Sequence, residues 1–378
     1  MDVRTTGTPH WRYLSLFSGI GVFETALHQQ FGADAQCVGF SEIKPAALKV
    51  YTRHFPDHTQ LGDVLQLQGA VLDALITRTQ PNLLVAGFPC TNLSSIAAMN
   101  GDHSGIYAGD QGSGLFFRLL SILSACIQHA RTKNYPFHFV LENVASMSKD
   151  MKEEITQRLT TLSGSDCLHC TLLCADAVSA QRRKRLFWTT FAVPSLTHST
   201  TFPTLMSSLD PVGSISEFHF YKPSILHMMN ARAGLSSIRR ATVETVAVIT
   251  EAEAVTGTYN PHIFRTVKRS VLIRPTEHVK SRWSAISRST TLLPKALTIT
   301  ASLILAQGLM DYRYGRTEHE FAYRKWTISE LERLFTLAPG YVDATSLSYT
   351  AKRDLLGNSI VLEVAKHIVR YLPRIDSE

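Results

Sequence analysis

Residues with the means for covalent chemistry recur where apolar runs end. Cys90 closes Gly87-Phe88-Pro89-Cys90, directly after the run Leu83 to Ala86, where a turn can expose a thiol and hold it in place. The thiolate is the reactive form, so such a cysteine needs a cation or dipole beside it. Glu142 follows the run Phe137 to Leu141 and can hold or deliver a proton. Gln181-Arg182-Arg183-Lys184-Arg185 is a dense source of positive charge. Brought together, these groups would supply a nucleophile, a proton donor and an anion stabiliser. Taken singly, each has a plainer reading: an inert core cysteine, a strand-end carboxylate, a solvated basic turn.

A second constellation suits binding rather than bond making. Gly19-Ile20-Gly21 follows the run Tyr13 to Phe17 and opens a helical stretch from Val22 to Gln30. Glycines at such a turn let the backbone approach a ligand, and an acidic residue about 20 positions on can hold ribose hydroxyls. Glu42, after Cys37 to Phe40, fits that place. Glu24 fills the slot of the third fingerprint glycine, so a nucleoside site and a tight structural turn both stay open on these residues. Cys167, Cys170 and Cys174 with His169 raise the question of zinc. Leu172 and Leu173 make that stretch apolar and no second ligand pair has recognisable spacing, so no metal is expected.

The elements that must position these groups alternate in type. Short β-type runs are separated by helical stretches such as Pro45 to Tyr51, a pattern that predicts an α/β fold with a parallel sheet covered on both faces. Ligands of such sheets bind beyond the carboxyl ends of the strands, where Gly19, Glu42, Cys90 and Glu142 all fall. The alternation fades after Phe191. From there to about Thr290 the chain is rich in Ser and Thr with scattered basic residues, which predicts an inserted second domain. Ile360, Val361, Val364, Ala365, Ile368, Val369 and Leu372 then follow helical spacing, predicting one terminal helix closed by Pro373.

Composition narrows the class. Of 378 residues, 44% are hydrophobic and 18% charged, which excludes a chain too polar to build a core. No apolar run reaches membrane-spanning length, and Met1 to Arg12 reads as a polar lead-in rather than a signal peptide. Lys and Arg number 38 against 31 Asp and Glu, and this formal charge of +7 favours a polyanionic partner. The six cysteines, in a chain with no export signal, are expected to be reduced thiols.

In order along the chain, these motifs resemble the DNA cytosine-5 methyltransferase family. Tyr13-Leu-Ser-Leu-Phe17-Ser-Gly-Ile-Gly21 resembles the motif that carries the methionine portion of S-adenosylmethionine. Phe40-Ser-Glu42-Ile43-Lys-Pro45 resembles the next, which implies Glu42 on the ribose; Gly62-Asp63-Val64 resembles the third, which implies Asp63 near the adenine amino group. Gly87-Phe-Pro89-Cys90 is similar to the nucleophile motif, and Gly112-Ser-Gly-Leu115-Phe-Phe117 to the end of the mobile catalytic loop. Glu142-Asn143-Val144 and Gln181-x-Arg183-x-Arg185 match the family's glutamate and arginine motifs. Trp326-Thr-Ile-Ser-Glu330 through Arg333-Leu334 resembles the motif that braces the recognition domain, and Gly357-Asn358-Ser359-Ile360 the one that returns to line the cofactor pocket.

The resemblance implies a Rossmann-like methyltransferase sheet with an inserted, smaller target-recognition domain. Its catalytic part would be residues 1–190, the recognition domain 191–290, and the return to the catalytic domain 291–378. It implies transfer of a methyl group from S-adenosylmethionine to carbon 5 of a flipped cytosine in double-stranded DNA, as in restriction-modification, leaving S-adenosylhomocysteine. Cys90, Glu142, Arg183 and Arg185 would be catalytic. The cofactor would meet Phe17, Gly19, Ile20, Gly21, Glu42, Ile43, Asp63, Val64, Pro89, Leu115, Asn358 and Ser359. Arg183 and Arg185 would touch the ring oxygen or a phosphate and help ionise Cys90. Arg232, Arg239, Arg240, Lys268 and Arg269 are expected on the DNA-facing side of the insertion, and residues 91–112 to close over the flipped base.

Thr91 departs from the glutamine usual after the nucleophile, Ala180 from a proline, and Gly112-Ser113-Gly114 lacks the common loop arginine. Two alternatives stand beside the main reading: a tRNA methyltransferase of the same family, and a catalytically silent DNA-binding relative. The protein is expected to be monomeric or weakly self-associating and free of membranes. Its expected place is the cytoplasm or nucleoid of a prokaryotic or viral system, or a eukaryotic nucleus.

Overall fold

The computed structural model describes residues 10–94, 101–164, 167–197, 208, 210, 217–218, 249–250, 308–311, 322–344 and 346–373. The first half alternates as expected. β1 (Trp11–Leu16), α1 (Val22–Phe31), β2 (Ala35–Ser41), α2 (Pro45–His54), α3 (Gly69–Thr79) and β3 (Leu83–Gly87) come first. They are followed by α4 (Phe116–Lys133), β4 (His138–Val144), α5 (Lys149–Ser163), β5 (His169–Cys174) and β6 (Lys184–Thr189). The six strands form one sheet in the order β2-β1-β3-β4-β6-β5.

β1 to β4 run parallel, but β6 is antiparallel to both of its neighbours, so the sheet is mixed rather than all-parallel as the alternation predicted. The cause is local: the link from Cys174 to Lys184 holds only a 3-10 turn at Ala175–Ala177, too short for the crossover a parallel partner needs. The chain leaves β1 toward β2 on one side and returns to β3 on the other. The sheet therefore opens a crevice at the carboxyl ends of β1 and β3.

Period-two alternation divides the core between the two faces. Tyr13, Val85, Val140 and Phe187 point to one side, under Phe23, Ala26 and Leu27 of α1. Leu14, Leu84, Leu141, Leu186 and Trp188 point to the other, under Leu75 of α3, Leu119 and Leu123 of α4 and Leu159 of α5. The stretch Gly112–Lys133 is long and apolar enough to cross a membrane by composition, yet Phe116, Leu119, Ile122, Leu123 and Cys126 are wholly buried in this core.

The C-terminal part returns to the first face as α6 (Ile328–Leu334), α7 (Tyr349–Gly357) and α8 (Leu362–Val369). The helix predicted from Ile360 onward begins two residues later, with Val361 as its N-cap and the turn at Asn358-Ser359 in front. Its apolar face is real: Val364, Ala365, Ile368 and Val369 are buried with α1. Thr327 and Glu330 cap the start of α6 reciprocally. Thr327 and Arg333 also reach Asp210, and Arg333 Nε donates to Ser208 O at 2.8 Å. Short antiparallel pairs, β7 (Glu217–Phe218) with β8 (Ile249–Thr250) and β9 (Gly308–Asp311) with β10 (Ala322–Lys325), complete the described elements. Arg232, Arg239, Arg240, Lys268 and Arg269 lie outside the described residues, as does most of 191–290.

Candidate active site

The turn after β1 is built from left-handed backbone. Phe17, Gly19 and Gly21 have φ of 54°, 57° and 81°. At Gly21 glycine is required twice over, since a Cβ would also lie 2.5 Å from the Phe55 ring. Gly19 differs: a Cβ there would meet nothing within 4 Å, so its backbone faces open space. Glu42, at the end of β2, ties the turn down. One carboxylate oxygen accepts from Gly19 N at 2.9 Å and the other from Ile43 N and Lys44 N, both at 2.8 Å. Beside it Ile43 is 61% exposed. Ser41 Oγ donates to Gly62 O at 2.8 Å and Asp63 caps the following turn through Leu65 N at 2.9 Å, which sets Asp63 and the buried Val64 next to the end of β2. Open backbone, a fixed carboxylate that accepts hydrogen bonds and an exposed apolar side chain are groups that suit a nucleoside.

The nucleophile candidate sits one strand away. Phe88 is buried, and its carbonyl accepts from Asn143 Nδ2 at 3.0 Å. The Cys90 carbonyl then accepts from Leu93 N and Ser94 N at 3.0 and 3.1 Å, so the chain turns sharply at the thiol. Asn143, to which motif and spacing assign no role, clamps β4 to the turn that carries Cys90. Burial pushes the Cys90 thiol up, the charge of Glu142 adds to this, and Arg185 and Arg183 oppose it. The thiol is therefore held protonated in this state, and the two arginines only moderate that effect.

Glu142 and Asn143 lie within β4, not beyond it, and Glu142 pairs with Gly87 of β3 and Phe187 of β6. Burial raises the Glu142 carboxyl, with Arg185 and Arg183 pulling it back. Its Oε1 meets Arg185 Nε at 2.9 Å in a largely buried ion pair.

The two arginines have different tasks. Arg183, expected on a ring oxygen or a phosphate, donates through Nη2 to Gly357 O at 2.9 Å and Ser359 O at 2.6 Å. It also lies over the Phe335 ring, 5.1 Å from the centroid. Arg183 thus fastens β6 to the turn holding Asn358 and Ser359, and its influence on Cys90 and Glu142 is electrostatic. Gln181, wholly buried, and Ser179 are directed to Leu334 O in the same manner.

Beyond Cys90, Thr91 is exposed and Asn92 exchanges hydrogen bonds with Ser113, from Asn92 N to Ser113 Oγ at 3.1 Å and from Ser113 N to Asn92 Oδ1 at 3.0 Å. The two ends of the 91–112 segment are thereby pinned together, and Leu115 follows at the foot of α4. Cys170 and Cys174 stand four residues apart on β5, which separates them by roughly 13 Å and prevents joint ligation of one ion. Among the described residues no cluster of His, Cys, Asp and Glu is arranged to hold a metal ion.

A family model for C-5 cytosine-specific DNA methylase matches residues 11–374 of this sequence. The chain belongs to that family. Members of the C-5 cytosine-specific DNA methylases use S-adenosylmethionine as methyl donor, and the family's substrate is DNA. Type II methyltransferase M.NlaIV of Neisseria lactamica is 30% identical over 270 residues, covering 64% of this chain and 59% of that protein. M.NgoBV of Neisseria gonorrhoeae is 33% identical over 153 residues, covering 39% and 31%. The matches span less than two thirds of the length of either relative. In fold the chain is similar to the Entamoeba histolytica methyltransferase EhMeth, with a TM-score of 0.58 at 13% identity over 96% of this chain and 97% of that one. It is likewise similar to the S. pombe Dnmt2 methyltransferase, with a TM-score of 0.55 at 16% identity over 95% and 96%. Within this methylase architecture, Cys90, Glu142 and Arg185 gather at the carboxyl edge of the sheet beside the glycine turn, while Arg183 backs them from behind.

Proposed function

We propose that this protein methylates carbon 5 of cytosine in double-stranded DNA through a covalent adduct at Cys90. The observation that carries the reading is the placement of one thiol, one buried carboxyl and one guanidinium together, with Glu142 and Arg185 2.9 Å apart and both acting on Cys90. Bound S-adenosylmethionine would supply the electrophilic methyl group. Gly19, Ile20, Gly21 and Phe17 would hold its methionine portion, Glu42 its ribose, and Ile43, Asp63 and Val64 its adenine, with Pro89, Leu115, Asn358 and Ser359 closing the pocket.

The chain's own groups account for the rest. Carbon 5 of cytosine is a poor nucleophile until a thiolate adds to carbon 6, and Cys90 is the group placed to add. Negative charge then develops on the ring. Glu142, whose carboxyl is raised by burial, would take up a proton as the base enters and share it with ring nitrogen 3, and Arg185 would stabilise the charge on the adjoining carboxyl and ring oxygen. Loss of the proton on carbon 5 and departure of Cys90 restore the aromatic ring. Because the charge of Glu142 helps to raise the Cys90 thiol, proton uptake by Glu142 on arrival of the base would remove that opposing charge and couple ionisation of Cys90 to base binding. Base reading is assigned to residues 191–290, the recognition domain of this reading.

The test uses purified protein, labelled S-adenosylmethionine, and unmethylated DNA or tRNA in separate reactions. Label on DNA that disappears in Cys90→Ala supports the reading, as does a covalent complex with 5-fluorocytosine DNA. Label only on tRNA, or DNA binding with no transfer at all, overturns it.

A further inference from the structure

We infer that Tyr341, in the loop after α6, is a positioning residue for the glycine turn at Gly19–Gly21. The inference rests on the cofactor reading above and extends it to a residue more than 300 positions away in sequence. Gly19 and Gly21 adopt left-handed backbone freely, but Phe17 at φ 54° does so at a steric cost and persists only where surrounding contacts over-determine the turn. Glu42 holds the side of the turn that faces the open crevice, through Gly19 N. The opposite side depends on Tyr341. Its hydroxyl lies 3.0 Å from Ile20 O and 3.3 Å from Gly21 O, to which it can donate, and 2.8 Å from Thr25 Oγ1.

Those two carbonyls govern the turn because a peptide plane moves as a unit. Fixing Ile20 O fixes the direction of Gly21 N–H, which reaches Ser18 O at 3.0 Å. Fixing Gly21 O fixes the direction of Val22 N–H, the first donor of α1 without a helical partner. Gly21 is the N-cap of α1 and has no side chain to cap with, so the entry to the helix is fixed through its carbonyl, which Thr25 Oγ1 reaches at 2.9 Å from within α1 and Tyr341 from outside it.

Tyr341 is itself held on every side. Its ring stacks on His54 of α2, with centroids 4.0 Å apart and planes 19° from parallel. His54 Nε2 sits 2.8 Å from Tyr341 O; a carbonyl only accepts, so that nitrogen carries the proton. The buried Glu332 accepts from Gly340 N at 2.7 Å and Val342 N at 2.8 Å. Arg53 donates to Gly340 O at 2.8 Å and to Asp343 O, and Lys352 Nζ pairs with Asp343 at 2.5 Å. A loop this firmly braced delivers the Tyr341 hydroxyl to a set position, which is what a positioning residue requires.

The experiment compares the full-length protein with Tyr341→Phe, which keeps the ring and its stacking and deletes only the hydroxyl. Dissociation of S-adenosylmethionine is measured by calorimetry, and KM and kcat in the transfer assay. Loss of the hydrogen bond should raise both Kd and KM for S-adenosylmethionine about three- to tenfold, while kcat at saturation stays within about twofold. A purely structural role would lower the melting temperature and leave Kd unmoved, which overturns the inference. Thr25→Val, which removes the partner that Tyr341 Oη and Gly21 O share, should shift Kd the same way by about two- to threefold, and an unmoved Kd there overturns the inference even if Tyr341→Phe does not fold. Wild-type protein that binds no S-adenosylmethionine defeats the functional reading and this inference with it; wild-type binding with unchanged variants defeats the inference alone.

Discussion

Gly87 and Glu142 face each other across β3 and β4, and a Cβ on Gly87 would come within 3.2 Å of Glu142 Oε2. The missing side chain makes the space in which the carboxyl meets Arg185. Gly87→Ala therefore tests whether catalysis depends on that position. Alanine in a strand is no worse than glycine for folding, so the melting temperature should hold or rise slightly. The carboxyl must give by a few tenths of an ångström, and we expect single-turnover methyl transfer to fall about ten- to a hundredfold. An unchanged rate would mean that the carboxyl tolerates displacement and that its role is looser than the geometry implies.

Arg183 and Arg185 separate stability from chemistry. Arg183→Ala leaves the Gly357 and Ser359 carbonyls without their donor and should cost about 2–4 kcal/mol in urea unfolding. Arg185→Gln should cost less in folding and more in rate. Because Arg185 lowers the Cys90 thiol, its loss should move the pH midpoint for alkylation of Cys90 by iodoacetamide upward, and Glu142→Gln should move it downward. Reactivity is followed at the Cys90 peptide, so the other thiols do not interfere. A midpoint unchanged in both variants would show that these groups do not act on the thiol.

What was legible in the sequence is what depends on short range. Strand ends and their glycines pointed to Cys90 and Glu42 after β3 and β2, since a strand and the turn after it are adjacent in the chain, while Glu142, expected beyond its strand, lies within β4. The role of Arg183 was not legible: its partners Gly357 and Ser359 are 174 and 176 positions away, and nothing in the spacing of Gln181, Arg183 and Arg185 says which side chain faces the base. The direction of β6 escaped for a related reason, because hydrophobic alternation reports which residues are buried and carries no sign of strand polarity. Tyr341 gave no signal at all. It lies in an apolar stretch where tyrosine passes for core, and only the fold brings its hydroxyl to Ile20.

Glu24 offers a prediction about stability alone. It is 1% exposed on α1; Tyr51 Oη donates to its Oε1 at 3.1 Å, while Oε2 is buried without a hydrogen-bond partner. Tyr13 and Cys37 lie near it on β1 and β2, and His58 Nδ1 meets Tyr51 Oη at 3.0 Å. Burial raises the Glu24 carboxyl from 4.5 to about 7, outweighing hydrogen bonds from Ser15 and Tyr51. A carboxyl raised on folding stabilises the fold fully below its unfolded value and loses that contribution as pH rises through the folded one. Glu24→Gln keeps the shape and removes the titration. The variant should therefore match the wild type near pH 4 and gain on it between about pH 4.5 and 7, by about 3 kcal/mol in all, then run parallel above that. His28 and His58, both lowered by burial, destabilise the fold as pH falls, but equally in the two proteins, so the difference isolates Glu24. Denaturant unfolding across that range is the measurement. A difference that does not change with pH would mean that folding does not raise the Glu24 carboxyl.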